Sequence, residues 1–96
     1  MKPSAAFARQ RSAIRAIVEA HNARNPRVFG FVASGEDRAG SDLDILVEPS
    51  IGMTLFDLGA IRHELKALLG IPVDVLTPAA LPASFRDRVL AEAAAV

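Results

Sequence analysis

Two acidic residues stand at the start of an apolar run in the stretch Ser41-Asp42-Leu43-Asp44-Ile45-Leu46-Val47. Alternate residues of a strand point to the same side of a sheet, so Asp42 and Asp44 are expected to share one face, about 7 Å apart. The apolar residues that alternate with them are expected to pack in the core. The stretch therefore predicts a strand with one buried face and one carboxylate face that borders a cleft.

A third acidic residue interrupts a later apolar run, where Asp74 lies between Val73 and Val75. Aspartate is poorly suited to strand interiors, and neighbouring carboxylates repel one another unless they are neutralised. A divalent cation such as Mg²⁺, which takes oxygen ligands, would neutralise them. The Asp42 and Asp44 pair alone fits a polar strand end equally well. The third acid favours a metal site, provided that the two strands are neighbours.

Periodicity and turn residues predict the order helix, strand, turn or short helix, strand, helix, strand, helix. The predicted elements are a helix over 4–22 ended by Asn25-Pro26, strands over 27–32 and 43–47, a helix over 54–69, a strand over 72–77 and a helix over 83–95. This order predicts a small α/β (α+β) domain in which helices cover a short sheet in two or three layers.

Each predicted helix carries an apolar face. Thr54 and Asp57 resemble a capping box at the start of the middle helix, and Gly70 is its expected C-cap. The expected apolar faces are Phe7, Ile14, Ile17, Val18 and His21 in the first helix, Leu55, Leu58, Ile61, Leu65, Leu68 and Leu69 in the middle helix, and Phe85, Val89 and Ala93 in the last.

Length and composition restrict the classes of protein. Ninety-six residues suffice for one domain with one modest core, expected over 1–96 with an N-terminal helix within 1–25 and a core over 27–96. Eleven basic residues balance eleven acidic ones, which argues against an extended duplex nucleic-acid footprint or an anionic membrane surface. The absence of cysteine excludes thiolate chemistry. No segment is apolar enough to span a bilayer, so we expect a soluble, cytoplasmic protein.

The run from Phe29 to Val47 resembles the signature of the minimal nucleotidyltransferases (MNT), small members of the DNA polymerase β superfamily. In that family a Gly-Ser pair ends the first strand and Ser-Asp-x-Asp follows at a fixed interval, which Gly30 and Asp42 reproduce here. The resemblance spans about 27–96 and includes Pro-Val-Asp-Val around Asp74. It implies a polymerase-β-like nucleotidyltransferase fold with a short mixed sheet covered by helices.

The resemblance also implies an activity: transfer of a nucleoside monophosphate, AMP from ATP, to a hydroxyl of a partner protein. Asp42, Asp44 and Asp74 would be the catalytic residues and would hold two Mg²⁺ ions. The implied nucleotide-binding residues are Gly30, Ser34, Arg38 and Ser41. In HEPN/MNT toxin-antitoxin pairs, which this chain is similar to, the MNT antitoxin neutralises a HEPN ribonuclease. A HEPN-type partner and a homo- or hetero-oligomer are therefore expected.

One departure from the signature leaves two readings of function open. Phe31 replaces the motif serine, so a hydroxyl expected to bind phosphate is missing and phosphate binding is expected to be weaker. Arg38 is then the only nearby cation of the loop. Ser34, three residues further on, either substitutes for that serine or merely caps a short helix. The chain is accordingly either an active transferase or a weakened MNT domain that neutralises its partner by binding alone. Purely structural ion binding is a third, less favoured reading.

The remaining candidates have simpler structural interpretations. His21 is expected at the core boundary and His63 on a solvated helix face. Phe31 either packs in the core, which we favour, or stacks on a nucleobase. Arg86 and Arg88 either contact a partner or RNA, or are solvated surface charges.

Overall fold

The computed structural model of the protein describes residues 3–30 and 42–96, with side chains from residue 5 onward. The helices are α1 (Pro3–Arg9), α2 (Arg11–Ala20), α3 (Leu55–Leu69) and α4 (Ala83–Glu92), and a 3₁₀ turn covers Pro78–Ala80. The strands are β1 (Ala23–Phe29), β2 (Leu43–Pro49), β3 (Val73–Leu76) and β4 (Ala94–Ala95).

The four described strands form one mixed sheet in the order β3-β2-β1-β4. β2 is antiparallel to β1 and parallel to β3, while β4 is antiparallel to β1. The predicted short mixed sheet covered by helices is therefore confirmed. Because β2 lies between β1 and β3, its residues Asp44, Ile45 and Leu46 are paired on both sides.

The main hydrophobic core lies on one face of this sheet, beneath α2 and α3. Its fully buried members are Ile14, Val18, Val28, Leu43, Ile45, Val47, Ile61 and Leu65. Leu43, Ile45 and Val47 alternate along β2, as predicted for its buried face. Asp44 and Leu46 consequently point to the opposite face, where Leu46 and Leu81 are buried outside the main core.

The single helix predicted over 4–22 is wrong, because the chain forms two helices that meet at Gln10. Gln10 has φ −122° and ψ 22°, outside the helical region. The bend allows Phe7 to join the same core as Ile14 and Val18, and the Arg11 guanidinium lies 4.6 Å from the centre of the Phe7 ring. The sequence has no proline or glycine there to signal the break.

The start predicted for the first strand at residue 27 is also wrong, since β1 begins at Ala23. α2 ends at Ala20, and the left-handed residue Asn22 (φ 56°) makes the turn into the strand. Asn25-Pro26 forms an irregularity within β1, where the register with β2 shifts and Asn25 has φ 51°. At the same end of the pairing, where Pro49 is the partner of Ala23, β2 extends through Pro49, beyond its predicted end at 47. β3 occupies 73–76 of the predicted 72–77.

The prediction for the middle helix is confirmed at both ends. Thr54 and Asp57 form the reciprocal capping box, and Gly70 is a left-handed C-cap with φ 68°. Leu55 is an exception to the expected apolar face, because it lies in the first turn beyond the edge of the core and is 84% exposed.

The helix predicted over 83–95 ends at Glu92, and Ala94–Ala95 pair as β4 with Arg27 and Val28 of β1. Tertiary pairing thus overrides the helix propensity of alanine. No residue of α4 is fully buried, and Phe85, expected in the core, is 45% exposed. Within the described residues, none of the helices is both long and apolar enough to cross a membrane.

Candidate active site

The three predicted carboxylates lie at one end of the paired strands β2 and β3. Asp44 and Asp74 are direct Cα partners in the parallel register, so their side chains leave the same face of the sheet. Asp42 lies just before β2 rather than within it. Asp42 and Asp74 are exposed and Asp44 is half-buried. β2 and β3 are therefore neighbours, which is the condition on which the metal-site prediction depended.

The environment of Asp44, including the charges of Asp42 and Asp74, affects its protonation. Burial, followed by the negative charges of Asp74 and Asp42, raises the pKa of Asp44 above its ordinary value. Each of these causes disfavours the ionised carboxylate. A cation between the acidic side chains would reverse the effect, because a positive charge favours the carboxylate form.

The three carboxylates interact electrostatically, but their side chains do not form a complete metal-binding cluster. Among residues 3–30 and 42–96, no three His, Asp or Glu side chains are grouped as a metal-binding cluster. The assignment of Asp42, Asp44 and Asp74 as metal ligands and catalytic residues stays a prediction.

Gly30 places backbone directly against the Asp44 carboxylate. It follows Phe29, the residue that pairs with Asp44 across β1 and β2, and has φ +72°. A Cβ at this position would lie 2.6 Å from Asp44 Oδ2. Only glycine adopts this turn without strain and leaves that space to the carboxylate.

The other predicted nucleotide-binding residues, Ser34, Arg38 and Ser41, lie outside the described residues, as does Phe31. Their roles stay predictions, including the substitution of Ser34 for the motif serine.

The two histidines lie away from the carboxylates. His21 is at the core boundary, as expected, and its Nε2 contacts Oε2 of Glu64 on α3. His63 is exposed, as expected of a solvated helix face. Both histidines therefore keep their structural interpretation.

The arginines of α4 differ from each other. Arg86 donates hydrogen bonds to the carbonyl oxygens of Pro78, at 2.9 Å, and Leu81, at 2.8 Å, so it ties the 3₁₀ turn to α4. Arg88 pairs with Glu92 one turn later, with 3.3 Å between Nε and Oε1. Arg86 thus has a structural role within the chain, whereas Arg88 is exposed.

A cavity that the sequence did not predict lies beside Gly30. Its volume is about 330 Å³, and it is lined by Phe29, Gly30, Phe85, Arg88, Val89 and Glu92. Phe85 and Val89 were expected to face the core at helical spacing, but their neighbour across the cavity is the end of β1. The sequence signal for this cavity was Phe29, which directly precedes the motif glycine Gly30. Periodicity alone assigns Phe29 to a strand and does not indicate a cavity.

A family model described as a nucleotidyltransferase domain matches residues 12–96. The chain belongs to the nucleotidyltransferase domain family. This confirms the resemblance inferred from Gly30 and the Ser-Asp-x-Asp stretch.

Two relatives resemble this nucleotidyltransferase domain over most of their length. The first, from Methanocaldococcus jannaschii, is named "Putative protein adenylyltransferase MJ0435"; it is 41% identical over 73 residues, which are 76% of this chain and 78% of the relative. The second is a solved structure described as a "putative minimal nucleotidyltransferase", 38% identical, with a TM-score of 0.82 and coverage of 100% of this chain and 95% of that one.

More distant structures share the fold of the nucleotidyltransferase domain. A toxin-antitoxin structure with AMP-PNP is 16% identical, with a TM-score of 0.73, and the match covers 88% of this chain and 69% of that one. A mutant of the toxin-antitoxin MntA-HpeT is 14% identical, with a TM-score of 0.70 and the same coverage. At these identities the likeness establishes the fold alone.

Proposed function

We propose that this nucleotidyltransferase domain transfers AMP from ATP to a hydroxyl of a partner protein. The observation that carries the proposal is the pairing of Asp44 with Asp74 on neighbouring strands, next to Gly30, where an added Cβ would lie 2.6 Å from Asp44 Oδ2. The likeness to a protein named as an adenylyltransferase supports AMP as the transferred group.

Asp42, Asp44 and Asp74 are the residues that would hold two Mg²⁺ ions. Their oxygen donors suit Mg²⁺. Burial, followed by the negative charges of Asp74 and Asp42, raises the pKa of Asp44, and a bound cation would favour the ionised carboxylate. Mg²⁺ held there would neutralise charge on the phosphates and help to orient them for in-line displacement.

The remaining steps would depend on residues of this chain and on the two substrates. The acceptor hydroxyl oxygen bonds to the α-phosphorus of ATP as the bond from that phosphorus to the bridging oxygen breaks, and pyrophosphate leaves with the electron pair. Asp74, which is exposed, would orient the hydroxyl and accept its proton. Gly30 lets the backbone approach the phosphates closely, because it carries no side chain. The nucleotide-binding site would be completed by Ser34, Arg38 and Ser41.

We further propose that the acceptor is a HEPN-type ribonuclease toxin and that this chain is its antitoxin. Support comes from the sequence signature and from the fold shared with toxin-antitoxin structures.

The test is transfer of label from ATP radiolabelled at the α-phosphate, with Mg²⁺ and the product of the adjacent gene. Wild type should label that protein, and the double variant D42N/D44N should not. D87N, which changes an exposed aspartate on α4, is the matched control and should keep the activity. Label transfer by D42N/D44N at the wild-type rate would refute the assignment of these carboxylates.

The second candidate function is neutralisation of the partner by binding alone. Phe31 in place of the motif serine favours it, because loss of a hydrogen bond to a charged ligand costs about 1.5–3 kcal/mol. Stable co-purification with the adjacent-gene product, inhibition of its activity and no label transfer would establish this second function over the first.

A further inference from the structure

We propose that the cavity between β1 and α4 is the site for the base of the donor nucleotide, and that it prefers purines. The proposal rests on the nucleotidyl transfer proposed above. It assigns a role to Phe29, Phe85 and the Arg88–Glu92 pair, all outside the carboxylate site.

The cavity opens on the carboxylate face of the sheet. Phe29 is the direct antiparallel partner of Asp44, and directly opposed residues of a pair point to the same side. Gly30 lines the cavity and also adjoins the Asp44 carboxylate, since a Cβ added to it would lie 2.6 Å from Asp44 Oδ2. A nucleotide whose phosphates lie at Asp44 therefore has this cavity immediately beside it.

The lining has the chemistry of a base site. Two phenylalanines, Phe29 and Phe85, supply aromatic surface, and aromatic side chains stack on bases because every base has a π face. Phe85 is 45% exposed, so core packing does not account for its position. A purine, with two fused rings, offers more stacking area to two phenylalanines than a pyrimidine does.

The rim supplies hydrogen-bonding groups. Arg88 and Glu92 lie one helical turn apart, with 3.3 Å between Nε and Oε1, and both line the cavity. Together they present N–H donors beside a carboxylate acceptor. The edge of adenine, with an amino donor next to a ring-nitrogen acceptor, is complementary to that arrangement. The volume of about 330 Å³ is at the lower end of the roughly 300–1,000 Å³ of small-molecule sites, enough for one nucleoside.

The experiment compares binding of Mg-ATP, Mg-UTP and inorganic tripolyphosphate to the full chain by calorimetry. Wild type should bind ATP more tightly than UTP. F85A should raise the Kd for ATP roughly 10-fold or more, remove the preference over UTP and leave tripolyphosphate binding unchanged. F56A is the matched control, because Phe56 is 90% exposed on α3 and does not line the cavity. F85L, which keeps apolar volume but loses the ring, should show a smaller loss.

Three results would overturn the proposal: ATP binding by F85A equal to that of F56A, equal weakening of ATP and tripolyphosphate, or no nucleotide binding by wild type. The transfer assay separates this proposal from the proposed function. Label transfer combined with an F85A that binds ATP normally refutes only the base site. Phe85-dependent ATP binding without transfer refutes only the transferase activity and supports the base site.

Discussion

Gly30 and Asp44 occupy adjoining space: a Cβ at Gly30 would lie 2.6 Å from the Asp44 carboxylate oxygen Oδ2. The glycine thus serves two purposes, a left-handed turn at the end of β1 and close approach of backbone to a carboxylate.

The two purposes can be separated by comparing G30A with G70A. Both glycines have nearly the same φ, +72° and +68°, but no atom lies within 4 Å of a Cβ at Gly70. We expect each variant to lose about 1–2 kcal/mol of stability from backbone strain, measured by urea unfolding. G30A alone should also displace Asp44 and lower the transfer rate about 100-fold. Equal activities of the two variants would contradict a role for this contact.

Replacing Asp44 by asparagine should stabilise the metal-free protein while abolishing transfer. Burial and the charges of Asp74 and Asp42 raise the pKa of Asp44, so the fold favours the protonated form. The stabilising contribution is complete below the ordinary value of 3.8 and is lost as the pH rises through the elevated folded-state pKa. In EDTA at pH 7, D44N should melt at a higher temperature than wild type. A lower melting temperature for D44N, with D87N unchanged, would be evidence that the ionised Asp44 carboxylate does not destabilise the fold.

The capping box of α3 should give the opposite pH dependence. A hydrogen bond from the Thr54 backbone N–H, at 2.9 Å from Asp57 Oδ2, is the largest cause of a lowered pKa for Asp57. The stability it contributes is present above 3.8 and is lost as the pH falls through the depressed folded-state value. D57N should therefore lose less stability than wild type between pH 5 and the lowest pH at which the fold persists, roughly 2 to 3.

T54A tests the other half of the box at neutral pH. Removal of the Thr54 hydroxyl, which accepts from the Asp57 N–H at 3.3 Å, should cost about 1 kcal/mol. Urea unfolding at pH 7 gives the value; a change within error would mean that the hydroxyl does not stabilise the first turn of α3.

Two leucines of α3 should differ sharply on truncation to alanine. Leu65 is fully buried and Leu55 is 84% exposed. L65A should lose about 2–5 kcal/mol, since it leaves a cavity in the core, whereas L55A should stay within about 0.5 kcal/mol of wild type. Denaturant midpoints for the two variants measure the difference. Comparable losses would place Leu55 in a packed environment.

Sequence patterns predicted the parts of the fold that depend on local signals. Thr54, Asp57 and Gly70 marked the ends of α3 because caps act within one turn. The alternation from Leu43 to Val47 predicted the orientation of β2, since the buried face of a strand repeats every second residue. The family motif led to Asp44 and Gly30, which the fold brings together.

Features that depend on distant parts of the chain were not predictable in this way. Ala94 and Ala95 favour helix on their own, but β1 offers them a pairing edge. The break at Gln10 allows Phe7 to reach the core, and no local breaker signals it. Phe85 has helical spacing with Val89, yet the cavity it lines also requires Phe29 from β1.

The bulge at Asn25-Pro26 and the short strand β4 shape the side of the sheet on which β1 lies. β4 covers β1 at Arg27 and Val28, and Val96 N–H donates to the Pro26 carbonyl oxygen at 3.0 Å. Proline has no N–H to offer, and a bulge twists a strand out of line. This side of the sheet is therefore a poor template for pairing with another chain, which protects the protein against edge-to-edge aggregation.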